Sequence, residues 1–239
     1  METRSFADYL RTLDDAALIS LFSHRPDLVT PVPPDVASLA VRASSAPSLA
    51  RAIDALNAWQ YQVLEACAIA PEPFTEKVIA ALTDKAALFV IPGLLERGLI
   101  FQGKDGYYLP TTVREVLGNE IQGLGPQTVV KLNFKKLDEA PPAAKKALEA
   151  MVWGPPRGTV ADVKKPGAGV AWLLENNFVV AANTKTVLLV REVALAIRGG
   201  KLHKELNVQA PDLQIEKRDL KSVQLAAIAK NPGSEATES

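Results

Sequence analysis

The side chains in this sequence best placed to do chemistry are lysines, and the chemistry they offer is contact with phosphate. Lys164 and Lys165 stand side by side ahead of Pro166, where a helix is predicted to begin. A helix N-terminus flanked by cations can hold a phosphate, because its free N–H groups and its dipole both favour an anion. Arg157 falls on the preceding turn, Lys185 on a predicted hairpin tip, and Lys145 and Lys146 on the helix that enters the same region. Between Lys131 and Lys204, thirteen Lys and Arg stand against six Asp and Glu, so this half of the chain is where a polyanion is expected to dock. A site of about four to six such contacts binds weakly and loses most of its affinity by physiological salt. A lysine pair is also an ordinary solvated surface feature, and that plainer reading stands beside the first.

Other reactive groups are sparse. His24 and His203 are the only histidines and lie far apart in sequence; each is expected at the surface rather than as a ligand or base. Cys67, the lone cysteine, sits in the apolar run of a helix and reads as a small core residue. One cysteine makes no internal disulfide and no zinc site. The stretch Gly154-Pro-Pro-Arg-Gly-Thr159 lacks the lysine of a phosphate loop, and its prolines remove the N–H donors such a loop uses. No enzyme activity, cofactor, metal or small-molecule substrate is therefore expected. Nor is a membrane partner: the longest near-apolar stretch, Ala86–Leu95, contains Pro92 and Gly93 and is far shorter than the roughly 18–20 residues a span needs. The N-terminus lacks a signal-peptide pattern, so the cytoplasm is the expected address, nucleoid-associated if DNA is bound.

Elements must hold these lysines in place, and the composition says which kind. Hydrophobic residues make up 48% of the chain and aromatics only 6%, so Ala- and Leu-rich helices are expected to supply most of the core. The fold class is predicted as mainly α with small β-hairpins, an α+β arrangement of tandem winged-helix units preceded by a short helical segment. Residues 1–56 form that segment: two helices over Ser5–Phe22, capped at Asp14 or Asp15, then an extended proline-rich connector, then helices at Val36–Arg42 and Ala46–Leu56. Residues 57–130 form the first unit, opened by the capping-box pair Asn57 and Gln60. A short helix starts at Thr75, and a third segment starting at Asp84 must be interrupted or kinked by Pro92. Strands around Leu99–Phe101 and Tyr107–Leu109 flank the turn Gly103–Gly106.

The same order recurs over residues 131–203. A helix spans Pro141–Trp153, a break covers Gly154–Gly158, and a short element covers Thr159–Val163. A helix at Pro166–Asn176 then precedes strands at Phe178–Ala181 and Val187–Val190. Leu94-Leu95-Glu96 matches Leu173-Leu174-Glu175, and Val113-Arg114-Glu115-Val116 matches Val190-Arg191-Glu192-Val193. The two matches are spaced differently by two residues, which a shorter second wing would absorb. Residues 204–239 read as an extension with one helix, Leu220–Ala229, and a disordered tail from Asn231. The first 130 residues carry ten Lys and Arg against fifteen Asp and Glu, and the remainder carries seventeen against twelve. An acidic first unit is thus followed by a basic second one.

The runs SFADYLRTLDDAALISLFSHRPDLVTPVPPDVASLAVRA, ARAIDALNAWQYQVLEACAI, MVWGPPRGTV and REVALAIRGG resemble the N-terminal part of an actinobacterial family of helicase-associated proteins with an XPB-helicase N-terminal-type domain. The similarity spans roughly Ser5–Lys201. It implies a tandem winged-helix fold and an accessory role beside an XPB-type helicase in DNA repair or transcription. Members of that family are longer than this chain, and nothing resident in their downstream part carries over.

Base reading by a winged helix needs Arg, Lys, Asn or Gln on its third helix. Here the two third helices, Ala86–Leu95 and Pro166–Leu174, carry none. The expected partner is therefore DNA, held by its backbone without sequence reading, in a weak and salt-sensitive contact. The rival is a protein-docking module, meeting a helicase or other protein through Phe89, Val90, Ile91 and Leu94, which cannot all face one small core if Pro92 breaks the helix. An exposed apolar patch there would favour a protein partner, and a lysine stripe would favour nucleic acid. Trp153 and Trp172, among apolar neighbours at helical spacing, are expected in the core.

Overall fold

A computed structural model describes residues 5–118 and 120–208; the helix and tail expected beyond residue 208 lie outside them. The described chain is mainly helical with two small antiparallel sheets, one of two strands and one of three.

Helix α1 (Phe6–Thr12) begins where the Ser5 hydroxyl accepts the Asp8 N–H, and α2 (Asp15–His24) where the Asp14 carboxylate accepts the Ala17 N–H at 2.8 Å. The proline-rich connector is not extended throughout. Pro26–Leu28 forms a 3-10 turn that buries Leu28 completely. Helix α3 (Val36–Ala43) is capped by Asp35, and α4 (Ala46–Asp54) starts with a proline in its first turn. Phe6, Leu10, Leu21, Leu28 and Leu39 pack together with Phe101 into a cluster of their own.

The first repeat opens with α5 (Ala58–Ile69). Its capping box is complete: the Gln60 N–H donates to Asn57 Oδ1 at 2.8 Å, and the Asn57 N–H donates to Gln60 Oε1 at 3.1 Å. Asn57→Ala is expected to cost about 1 kcal/mol of stability, read as a lower urea midpoint at unchanged slope. Helix α6 (Glu76–Leu82) follows, then a 3-10 stretch at Lys85–Phe89 capped by Asp84, then α7 (Ile91–Glu96). The segment is interrupted at this point, as expected: the 3-10 stretch ends at Phe89, and Pro92 lies in the first turn of a new helix, where a missing N–H costs nothing. Strands β1 (Phe101–Gln102) and β2 (Tyr107–Tyr108) form the hairpin, and α8 (Thr111–Leu117) leaves it.

The second repeat runs α9 (Pro142–Val152), β3 (Arg157–Thr159), α10 (Ala168–Glu175), β4 (Val179–Ala181), β5 (Thr186–Leu189) and α11 (Arg191–Ile197). Arg157 and Gly158, expected in a break, belong to strand β3, which pairs with β5 so that the sheet order is β3-β5-β4. The first repeat keeps the same order with its first strand reduced to one residue, Phe74 bridged to Tyr107.

Helices α7 and α10 end identically. Leu99 N–H bonds Leu94 C=O at 3.0 Å and Phe178 N–H bonds Leu173 C=O at 2.9 Å, around Gly98 (φ 62°) and Asn177 (φ 59°). This six-residue closure with a left-handed residue fixes the Leu94/Leu173 match in register. The second sequence match is out of register by three residues. Strand pairing sets Phe101 opposite Tyr108 and Val180 opposite Leu188, so Val190 corresponds to Pro110 and Val193 to Val113. The second hairpin loop, residues 182–186, is also one residue longer than 103–106, where a shorter one is expected. Burial confirms this alignment, since Val113 and Val193 are both fully buried.

A single apolar cluster runs through both repeats, from Leu49 to Leu202. Residues 200–208 then cross back to the first repeat. Leu202 N–H bonds Leu82 C=O at 2.9 Å, Lys201 Nζ reaches Thr83 C=O at 2.6 Å, and Gln62 holds the backbone of Glu205 and Asn207.

Candidate nucleic-acid interface

The lysines predicted to meet phosphate divide into three groups in the structure. Lys164, Lys165 and Lys185 come together. The turn at residues 160–165, which stands where the first repeat has α6, is bonded to the β4–β5 loop: Val160 N–H to Lys185 C=O at 2.9 Å, and Val163 N–H to Thr184 C=O at 2.8 Å. Each lysine-bearing turn is tightened by its own side-chain acceptor, Asp162 Oδ1 for the Lys164 N–H and Asn183 Oδ1 for the Lys185 N–H, both at 2.9 Å. All three lysines are exposed and, among the described residues, none has a carboxylate partner.

The lysine pair does not flank a helix start, however. Helix α10 begins at Ala168 behind Gly167, and its first turn packs on α9 so tightly that a Cβ on Gly169 would lie 2.7 Å from the Ala143 carbonyl carbon. The lysine cluster is therefore a turn and a hairpin tip, with no helix N-terminus in it.

Arg157 is occupied elsewhere: from strand β3 its guanidinium pairs with Glu120. The Lys145 ammonium donates to Asp138 C=O at 3.2 Å, and its side chain lines a groove with Phe134, Leu137, Leu148 and Ile197. Lys146 is exposed on α9. So three of the six candidates share one place, Arg157 is ion-paired with Glu120, Lys145 lines a groove, and Lys146 is exposed on α9.

The first repeat presents no such site. Its α7 and hairpin are covered by the N-terminal helices: Phe6 lies against Gly98 and Phe101, His24 lies 3.8 Å from Glu96, and Arg25 donates to Arg97 C=O at 3.0 Å. The proposed docking residues here also resolve differently from expectation. Phe89 is 87% exposed, but Val90, Ile91 and Leu94 are core, because the 3-10 stretch swings the chain before α7 and turns all three inward. A lone exposed phenylalanine is no patch.

Both helices lack Arg, Lys, Asn and Gln, as the sequence indicates; α10 shows Ala168 and Glu175 to solvent, and α7 shows Pro92 and Glu96. The tryptophans differ from each other. Trp172 is half-buried and packs edge-on against Phe178, whereas Trp153 is 46% exposed, with the Arg198 guanidinium 4.3 Å above its ring.

The histidines and the cysteine do not meet. Cys67 is fully buried, and burial pushes its thiol well above its ordinary value, so no thiolate forms at neutral pH. His203 is not at the surface: it is buried, and its Nε2 lies 2.7 Å from Glu65 Oε2, whose carboxylate also accepts from Gln122 Nε2. Sequence reasoning had no access to this pair, whose members are 138 residues apart. Among the described residues no three His, Cys, Asp or Glu side chains could hold a metal ion, and no helix is long and apolar enough to cross a membrane.

Comparison of the chain with protein-family models, with curated proteins and with solved structures yields no match.

Proposed function

We propose that this chain is a non-enzymatic tandem winged-helix module that holds the DNA backbone through Lys164, Lys165 and Lys185 of its second repeat. The observation that carries this reading is the pair of backbone hydrogen bonds joining the 160–165 turn to the hairpin loop, which gathers into one place three exposed lysines that have no carboxylate partner among the described residues. In a winged helix the wing stands beside a phosphate backbone while the third helix meets the groove. A third helix without donors supplies no base readout, so binding is to backbone alone. The resemblance to XPB-associated proteins adds the setting: an accessory that keeps a helicase near DNA.

Fluorescence anisotropy of labelled duplex DNA at low salt tests this. Lys164→Glu together with Lys165→Glu is expected to weaken binding at least about tenfold, equally for unrelated sequences. It should also shrink the salt slope by roughly 2, near 0.9 for each lost phosphate contact. Arg157→Ala, whose guanidinium already serves Glu120, should change affinity little. An unaltered affinity in the lysine double variant removes the site.

A further inference from the structure

Exposed apolar side chains of the second repeat gather at one place. Between residues 131 and 203 the large apolar residues open to solvent are Phe134, Trp153 and Ile197. Phe134 and Ile197 line the groove of about 530 Å³ formed by residues 134–138, α9 and α11, together with Leu137 and Leu148. Trp153 caps the end of α9 four residues after Glu149, with Arg198 against one side of its ring. The groove also holds two opposite charges one turn apart on α9, Lys145 and Glu149. Both are exposed, and among the described residues neither has an ion-pair partner. Lysine ahead of glutamate is the weaker order for pairing within a helix, and the Lys145 ammonium goes to Asp138 C=O instead.

We infer that this groove is the interface of a homodimer, covered by the same groove of a second copy of the chain with the two α9 helices antiparallel. Charge complementarity selects that occupant. A two-fold interface sets residue i of one copy against j of the other, and j against i. A lysine and a glutamate one turn apart meet that condition by themselves. With the axis between them, Lys145 of one protomer meets the glutamate of its partner, and Glu149 meets the partner's lysine. A helix of one sign would pair only one of the two and desolvate the other. The groove's own charges, the carboxylates of Asp138 and Glu149 and the ammonium of Lys145, leave a net −1, too little to repel a copy. The same operation brings each exposed Phe134 ring to the other's groove. Eight residues line the groove, fewer than the roughly 20–30 a side of a standard interface, so the dimer is weak and grows with concentration.

Sedimentation velocity of the full chain over a rising concentration series is the test. A monomer–dimer equilibrium in the micromolar range is expected. Glu149→Lys and Lys145→Glu should each weaken it by about tenfold or more, because each change sets like charges together twice. An equimolar mixture of the two variants should dimerise again, as a heterodimer in which both pairs are restored, and so should one chain carrying both changes. That recovery requires folded chains, so loss of structure in a variant cannot imitate it. A wild-type chain that stays monomeric up to millimolar concentration overturns the inference and leaves the groove to another occupant. A dimer indifferent to both single changes places the interface elsewhere and overturns it too. Loss in each variant without recovery in the mixture overturns the two-fold pairing of Lys145 with Glu149.

Discussion

Arg25→Ala is expected to lower the unfolding free energy of the N-terminal helices by about 3–5 kcal/mol, the usual result of removing one partner from a buried ion pair. Arg25 is completely buried. Its guanidinium donates to Arg97 C=O, Ala43 C=O and Ser48 Oγ, and its Nε lies 3.2 Å from Asp27 Oδ1. Alanine would leave the Asp27 carboxylate without its cation, with only the Ser48 hydroxyl still donating to it, and would take the guanidinium from two carbonyls. The same change should alter the response to acid. Burial tends to raise the Asp27 carboxyl, but hydrogen bonds from Ser48 and Arg25 and the adjacent positive charge outweigh it, leaving the group below its ordinary value.

A carboxyl lowered in the folded state contributes stability that is fully present above its unfolded value, near 4, and is lost as pH falls through the lower folded value. Without Arg25 that protection shrinks, so acid unfolding should begin at higher pH. Urea midpoints followed by circular dichroism between pH 7 and acid would show both effects. A variant with wild-type midpoints would mean that Arg25 is not the strut that docks α1–α3. Limited proteolysis adds location: cleavage should appear first before residue 56, because Arg25 ties the N-terminal helices to α7 through Arg97.

The second large effect is expected at Arg198, just beyond α11. Its Nε reaches Val152 C=O at 2.8 Å, Nη1 reaches Leu202 C=O at 3.1 Å, and Nη2 reaches Gln122 C=O at 2.9 Å, while the ring of Trp153 covers its face. Four stretches of chain meet on this one fork: α9, α11, the inter-repeat link and the returning segment. Burial pushes the guanidinium below its ordinary value, and an arginine stays charged in proteins. Arg198→Ala should cost about 3–5 kcal/mol, and Arg198→Lys should recover little, because one ammonium cannot reach three divergent carbonyls. The expected signature is early protection loss by hydrogen exchange at residues 200–208, together with a red shift of tryptophan emission as Trp153 loses its cover. Full recovery by lysine would show that charge alone, and not the planar fork, joins the repeats.

Features decided within a few residues were legible in the sequence. The capping box at Asn57 and Gln60, the Asp14 cap, the hairpin at 103–106 and the bare third helices follow from side chains acting on their own backbone neighbours or from a residue's simple absence. The repeat was legible at Leu94 and Leu173, where the chain closes the helix locally. It was misaligned at Val113 and Val190, where four matching letters outweighed a register that only strand pairing defines.

Of the lysine site, the residues were readable but their grouping was not. Whether Lys164 and Lys185, twenty-one positions apart, share one surface depends on a turn bonding to a wing. Whether Arg157 is available depends on Glu120, from the link between the repeats.

Composition and periodicity alone therefore determine a mainly helical chain with two small hairpins and a basic second half, because each of those properties is set by local propensity and by counting charge. Tertiary structure alone decides that Arg25 and His203 are buried, that Val90, Ile91 and Leu94 face the core, and that the first hairpin is covered by α1. Those outcomes rest on partners tens of residues away, and desolvating a charge or an apolar side chain is settled only by what the fold brings against it.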